Sequence, residues 1–152
     1  MDKTILFVDD AVFARGHLPQ LMAGAKGPRQ WILVACAPRM THRVSKWVSH
    51  SARENWRAKW FARVLDELLP VLSADGNEVV PMLAHGRLTD MTQRLRRDHP
   101  TANVIDARRP KVGVDLEPVA QGVLPPGHSG WALPGAMAGM GALLVLANEL
   151  GD

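Results

Sequence analysis

Short apolar runs alternate with amphipathic stretches along most of the chain. Four runs predict β-strands, at residues 3–9, 31–37, 78–84 and 103–107. The first run contains four successive apolar residues, 5–8, which is typical of a strand buried on both faces of a parallel sheet. Pro81 cannot donate to a sheet ladder, so the third run is expected at a sheet edge or at a bulge.

Helical spacing of apolar residues predicts a helix after each of the first three strands. Asp10 is a candidate N-cap for the first helix. Ser51 and Glu54 fit a capping box at the start of a long second helix, which Pro70 is expected to end or bend. The third predicted helix is short. Thr89 or Asp90 would cap it, and it would end near Arg97.

The alternation of strands and helices predicts an α/β fold. Right-handed crossovers would give a parallel sheet of four to five strands with helices on both faces, a Rossmann-like arrangement. We expect this α/β domain to span residues 1–117. We expect residues 118–152 to form a neutral Gly/Pro-rich segment with an apolar helix after Pro134, packed on the same domain or on a partner subunit.

Composition excludes several classes of protein. The chain has 152 residues, of which 47% are apolar and 22% charged, so it can build a core and is not disordered. Cys36 is the only cysteine, which excludes a disulfide scaffold and fits a reducing compartment. The N-terminus has no basic-then-apolar leader, so we expect no signal peptide and a cytoplasmic location.

Charge is unevenly distributed along the chain. All 18 Lys and Arg lie within residues 1–111, which hold 11 of the 15 Asp and Glu and carry a net charge of +7; residues 112–152 carry −4. The positive balance favours an anionic partner such as a nucleotide, or it is a solvated basic face. Residues 39–63 interleave arginines and lysines with Trp47, Trp56 and Trp60. Because Trp56 and Trp60 fall on the apolar stripe of the second helix, we interpret them as core residues and expect no nucleic-acid partner.

Candidate chemistry lies where the predicted strands end, because open α/β sheets bind ligands at the carboxyl ends of their strands. Asp9 and Asp10 follow the first strand, Gly86 follows the third, and Arg108 and Arg109 follow the fourth. A carboxylate there could accept ribose hydroxyls or hold Mg²⁺. The alternative is that Asp10 only caps the helix and Asp9 is solvated, while the arginines form a basic surface loop.

Residues 5–11, Ile-Leu-Phe-Val-Asp-Asp-Ala, resemble the first strand of universal stress proteins, which ends in Val-Asp-Gly-Ser. The resemblance implies that Asp9 contacts the adenosine part of ATP or AMP and that Gly86 matches the glycine after the third strand. It also implies a cytoplasmic stress-response protein that dimerises. By element order it covers residues 3–109.

The phosphate loop of that family is not present in its usual form. Nucleotide-binding members carry Gly-x2-Gly-x9-Gly-Ser/Thr after the fourth strand, where glycines let backbone N–H groups approach the phosphates. Here the matching stretch begins Ala107-Arg108-Arg109-Pro110, and Pro110 has no N–H. We therefore expect a non-catalytic regulatory module with lost or weak nucleotide binding, in which Arg108 and Arg109 could hold an anion by charge. Alternatives are an enzyme of the wider adenine-nucleotide-binding group and an interaction protein using its apolar C-terminal segment.

A second resemblance is to response-regulator receiver domains, on residues 7–15. Such domains pair two acids after the first strand with a phosphorylated Asp about 40–45 residues later, yet residues 49–57 contain no Asp. Other chemistry has little support. The six histidines lack metal-ligand spacing, Cys36 lies inside an apolar run, and Ser129 lacks the Gly-x-Ser-x-Gly elbow. The uncharged residues 131–147 are slightly short for a bilayer span of about 20 residues, so we expect packing or homodimerisation rather than membrane insertion.

Overall fold

A computed structural model describes residues 2–23, 27–38, 46–111 and 116–120 of the protein. Its strands are β1 (Asp2–Val8), β2 (Arg29–Ala35), β3 (Glu78–Leu83) and β4 (Asn103–Asp106). Its helices are α1 (Ala11–Met22), α2 (His50–Leu72) and α3 (Leu88–Asp98). The predicted helix after Pro134 lies outside the described residues, as does most of the predicted loop before it.

The four strands form one parallel sheet in the order β3-β2-β1-β4. β1 lies between two neighbours, which explains its run of four apolar residues, because a central strand of a parallel sheet is covered on both faces. β3 lies at the edge of this described sheet, as Pro81 predicted. The α/β class and the parallel, Rossmann-like sheet are therefore confirmed.

Two layers of apolar side chains cover opposite faces of the sheet. Successive residues of a strand point to opposite faces, so Leu6 and Leu33 lie on one side while Phe7 and Ile32 lie on the other. The first layer packs against α1 and α2, and the second packs against α3. Helices thus lie on both faces, as the alternation of strands and helices predicted.

The capping box predicted at Ser51 is wrong. The N-cap of α2 is Ser49, whose extended backbone lets its hydroxyl accept a 3.1 Å hydrogen bond from the N–H of Ala52. Pro70, which was expected to end or bend α2, does not end it, because the helix continues to Leu72. The last turns are anchored by their fully buried apolar side chains, which offset the single backbone bond that proline removes.

The N-terminus of α3 is capped from a distant part of the chain. Its N-cap position is Arg87, which makes no side-chain cap, so the prediction of Thr89 or Asp90 is wrong. The N–H of Leu88 donates instead to a carboxylate oxygen of Glu117, at 2.5 Å. Val119 is buried in the layer that packs on α3, so the segment 116–120 lies against the domain. None of the helices in the described ranges is long and apolar enough to cross a bilayer.

Candidate functional site

The chain adds strands first on one side of β1 and then on the other, although all four strands are parallel. From β1 the chain moves outward to β2 and β3, and then returns to place β4 on the other side of β1. Loops that leave two adjacent strands toward opposite sides open a crevice at the carboxyl ends of those strands, and ligands of α/β proteins bind there. Phe7 in β1 is paired with Asp106 in β4, so the residues that follow them share this crevice.

Asp9 lies at the crevice in a partly buried position. Its Oδ1 accepts a 2.8 Å hydrogen bond from the backbone N–H of Arg109, whereas within the described residues its Oδ2 accepts none. Burial raises the pKa of Asp9 above its ordinary value, against the opposing effects of the Arg109 hydrogen bond and of the positive charge on Arg108. The fold thus holds a carboxylate with an open acceptor in a site that disfavours its charge.

Asp10 caps α1, as the sequence predicted. Its Oδ1 accepts a 3.0 Å hydrogen bond from the N–H of Phe13, and its Oδ2 lies 3.3 Å from Nη1 of Arg109. The Phe13 hydrogen bond and then Arg109 lower the pKa of this carboxyl. The pKa values of Asp9 and Asp10 are therefore shifted in opposite directions, although the two residues are neighbours in sequence. The expectation of a merely solvated Asp9 is wrong.

Arg108 does not lie on a surface loop. Its side chain is buried, and its Nε and Nη2 each donate a 2.8 Å hydrogen bond to the two oxygens of Asp106. Nη2 also donates to the backbone oxygen of Glu117 at 2.5 Å. Burial alone would lower the pKa of Arg108, but the hydrogen bonds and charge of Asp106 outweigh it and hold the pKa above its ordinary value. Its guanidinium therefore stabilises the rim of the crevice, that is, the residues that follow β1 and β4, and it has few hydrogen-bond donors left for a ligand.

Arg109 fits the predicted basic surface better. Its side chain is 61% exposed, and its described ion pair, with Asp10, is long at 3.3 Å. A long, exposed pair contributes little stability and exchanges easily. Of the two arginines, Arg109 rather than Arg108 is thus free to turn toward an anion.

Gly86 lies two strands away from β1, at the same end of the sheet. Its φ of +71° explains why glycine stands there, because side chains rarely adopt that conformation. Neighbouring strands are about 4.8 Å apart, so β3 lies roughly 10 Å from β1. The structure therefore brings Asp9, Asp10 and Arg109 together, and places Gly86 beyond β2.

Cys36 lies between these two groups, directly after β2. Its N–H donates a 2.7 Å hydrogen bond to the carbonyl of Val8. Burial raises the pKa of its thiol to about 12, which agrees with the prediction of an inert cysteine. Glu117 was missed by sequence reasoning, because its contacts with Leu88 and Arg108 join segments that no local pattern connects.

Comparisons with protein-family models, with curated proteins and with solved structures each give no significant match. The topology argues against one of the two predicted resemblances, that to receiver domains. Receiver domains have the strand order 2-1-3-4-5, whereas this sheet is ordered β3-β2-β1-β4. In addition, residues 84–87, which follow β3, include no Asp. The receiver alternative therefore has neither its sheet order nor its phospho-acceptor.

No group of three or more His, Cys, Asp or Glu in the described residues could hold a metal ion.

Proposed function

We propose that the protein is a non-catalytic regulatory module of universal stress protein type that binds an adenine nucleotide weakly at the rim between β1 and β4. The observation that carries this proposal is the position of Asp9. Its carboxylate is partly buried at the point where the chain reverses across the sheet, and its Oδ2 accepts no hydrogen bond from the described residues. Ribose hydroxyls can donate hydrogen bonds to such an oxygen.

Arg109 supplies the contact to phosphate in this proposal. Its exposed guanidinium leaves Asp10 and binds a phosphate group of the ligand, with which arginine forms stronger, bidentate hydrogen bonds. Binding is weak because the loop offers few backbone donors. Pro110 has no N–H, and the N–H groups of Ala107 and Arg109 already bond to Phe7 and Asp9.

The side chains at this rim also favour a binding role over catalysis. The thiol of Cys36, with its raised pKa, is not a nucleophile at neutral pH. Arg108 is held by Asp106, and Arg109 and Asp10 neutralise one another. Asp9 remains as a hydrogen-bond acceptor rather than one half of a nucleophile–base pair.

Thermal unfolding of the full chain with ATP, AMP and adenosine tests the proposal. A ligand present at about 100 times its Kd adds about 2.7 kcal/mol of stability, which is a readily measured rise in Tm. We expect Asp9→Ala to abolish the rise for all three ligands, and Arg109→Ala to reduce it for ATP more than for adenosine. Asp66→Ala, an exposed acid on α2, is the matched control. The proposal fails if no ligand raises Tm, or if Asp9→Ala leaves the rise intact.

A further inference from the structure

A second cleft lies at the opposite end of the sheet, where β2 begins. It has a volume of about 220 Å³. At about 30 Å³ per water molecule in the liquid, this is room for roughly seven waters, or for one small metabolite. Its walls come from the end of α1, the start of β2 and the turn before β3; they include Met22, Pro28, Arg29, Trp31, Asp75 and Asn77.

The cleft presents opposite charges on an apolar floor. Trp31 is only 1% exposed, and the guanidinium of Arg29 lies over its ring with Cζ 5.1 Å from the ring centre. Asp75, an exposed acid, is also one of the residues that line the cleft. An anion alone would meet Asp75 and a cation alone would meet Arg29, so the complementary ligand carries both charges.

Two of the residues that line the cleft, Arg29 and Trp31, each carry a buried donor. Within the described residues, neither Nε of Arg29 nor Nε1 of Trp31 makes a hydrogen bond. A buried donor without a partner costs about 1–3 kcal/mol. Because neither nitrogen is exposed to solvent, an acceptor reaches them only when the side chains that cover them move.

Asp75 also has an unusual backbone conformation. Its φ of 59° and ψ of 30° are left-handed, which Asp tolerates better than most residues but which still costs free energy. The strained residue thus lies on the wall of the cleft, between α2 and β3. Backbone strain of this kind clusters at ligand sites.

We propose that this cleft binds a small zwitterion with an apolar side chain, that is, a free α-amino acid. The carboxylate of the ligand pairs with Arg29 and gives the orphaned donors an acceptor. Its ammonium group pairs with Asp75, and its side chain packs on Trp31 and Met22. This site is independent of the rim at Asp9, since the two lie at opposite ends of the strands.

Nuclear magnetic resonance titration of the full chain with L-leucine tests the proposal. We expect leucine to shift the Trp31 indole N–H and Arg29 Nε–H resonances. The probes 4-methylpentanoate, which lacks the ammonium group, and 3-methylbutylamine, which lacks the carboxylate, should bind at least tenfold more weakly. Absence of these shifts at millimolar leucine would overturn the proposal, and so would binding of either analogue as tight as that of leucine.

Charge-removing variants complete the test. Arg29→Gln and Asp75→Asn should each weaken leucine binding at least tenfold. Asn tolerates the left-handed conformation, so Asp75→Asn changes the charge without adding strain. Arg63→Gln and Asp66→Asn make the same charge changes at exposed positions of α2 and should leave binding unchanged. Leucine affinity that is equal in all four variants would exclude the assigned contacts, whatever the outcome of the nucleotide experiment.

Discussion

The backbone N–H of Arg109 donates a 2.8 Å hydrogen bond to Oδ1 of Asp9, which lies 100 positions earlier in the chain. This bond joins the segment after β4 to the segment after β1, at the crevice between these two neighbouring parallel strands. It holds Asp9 in a partly buried position, and no other described residue donates to its second oxygen. The charge of Asp9 therefore destabilises the fold, as expected of a residue whose role is to bind a ligand.

Asp9→Asn should raise the free energy of unfolding at pH 7. Burial raises the pKa of Asp9 in the folded state above its ordinary value of 3.8, so the charged form penalises the fold at neutral pH. Asn is neutral and keeps an oxygen acceptor for Arg109. The gain should shrink as the pH falls through the folded pKa and disappear below 3.8, where Asp9 is protonated in both states. Urea unfolding followed by circular dichroism at several pH values measures it.

Asp10→Asn is the matched control, with the opposite sign. Its folded pKa is lowered, so its charge stabilises the fold above the ordinary value of 3.8, and that stability is lost as the pH falls through the folded pKa. Because Asn caps helices about as well as Asp, the loss at pH 7 reports the charge rather than the cap. If both variants change stability in the same direction at pH 7, the assigned electrostatic difference between the two acids is wrong.

Arg108→Met should destabilise the protein by about 3–5 kcal/mol, because it leaves the carboxylate of Asp106 buried without a partner. The Asp106 side chain is 9% exposed and that of Arg108 4%. The double variant Arg108→Met/Asp106→Leu should recover most of this loss, since a buried ion pair can often be replaced by apolar residues. Urea unfolding of the two single variants and the double variant measures the coupling energy.

Arg15→Met provides the comparison for that experiment. Arg15 pairs with Glu67 at 2.8 Å, but both side chains are largely exposed, so the loss should be below about 1 kcal/mol. An Arg108→Met variant no less stable than Arg15→Met would mean that the buried pair does not brace the rim.

Cys36 should react slowly with thiol reagents in the folded protein. With its pKa raised from 9.0 to about 12, its thiolate fraction at neutral pH is lower on the order of a thousandfold. Because it is the only cysteine, a colorimetric thiol assay reports it directly. Reaction as fast in native buffer as in concentrated urea would contradict the buried environment assigned to this thiol.

The sequence predicts the elements well because their signals are local. The run of apolar residues 5–8 indicates a strand buried on both faces of a parallel sheet, and the structure has it. Pro81 indicates an edge strand or a bulge, and β3 lies at the edge of the described sheet. Helix boundaries were less accurate. Ser49 and Ser51 are both acceptable caps by composition, and only the backbone angles of the chain entering α2 select Ser49.

The candidate site shows the same division. By itself, the sequence determined that acids follow β1 and that arginines follow β4, because strand ends and charges are read from consecutive residues. Only the tertiary structure decided what each side chain does: it paired Arg108 with Asp106, left Arg109 exposed, and bonded Glu117 to Leu88 across 29 residues. Burial and long-range pairing depend on how distant segments meet in space, and residue spacing along one chain does not encode that arrangement in any local pattern.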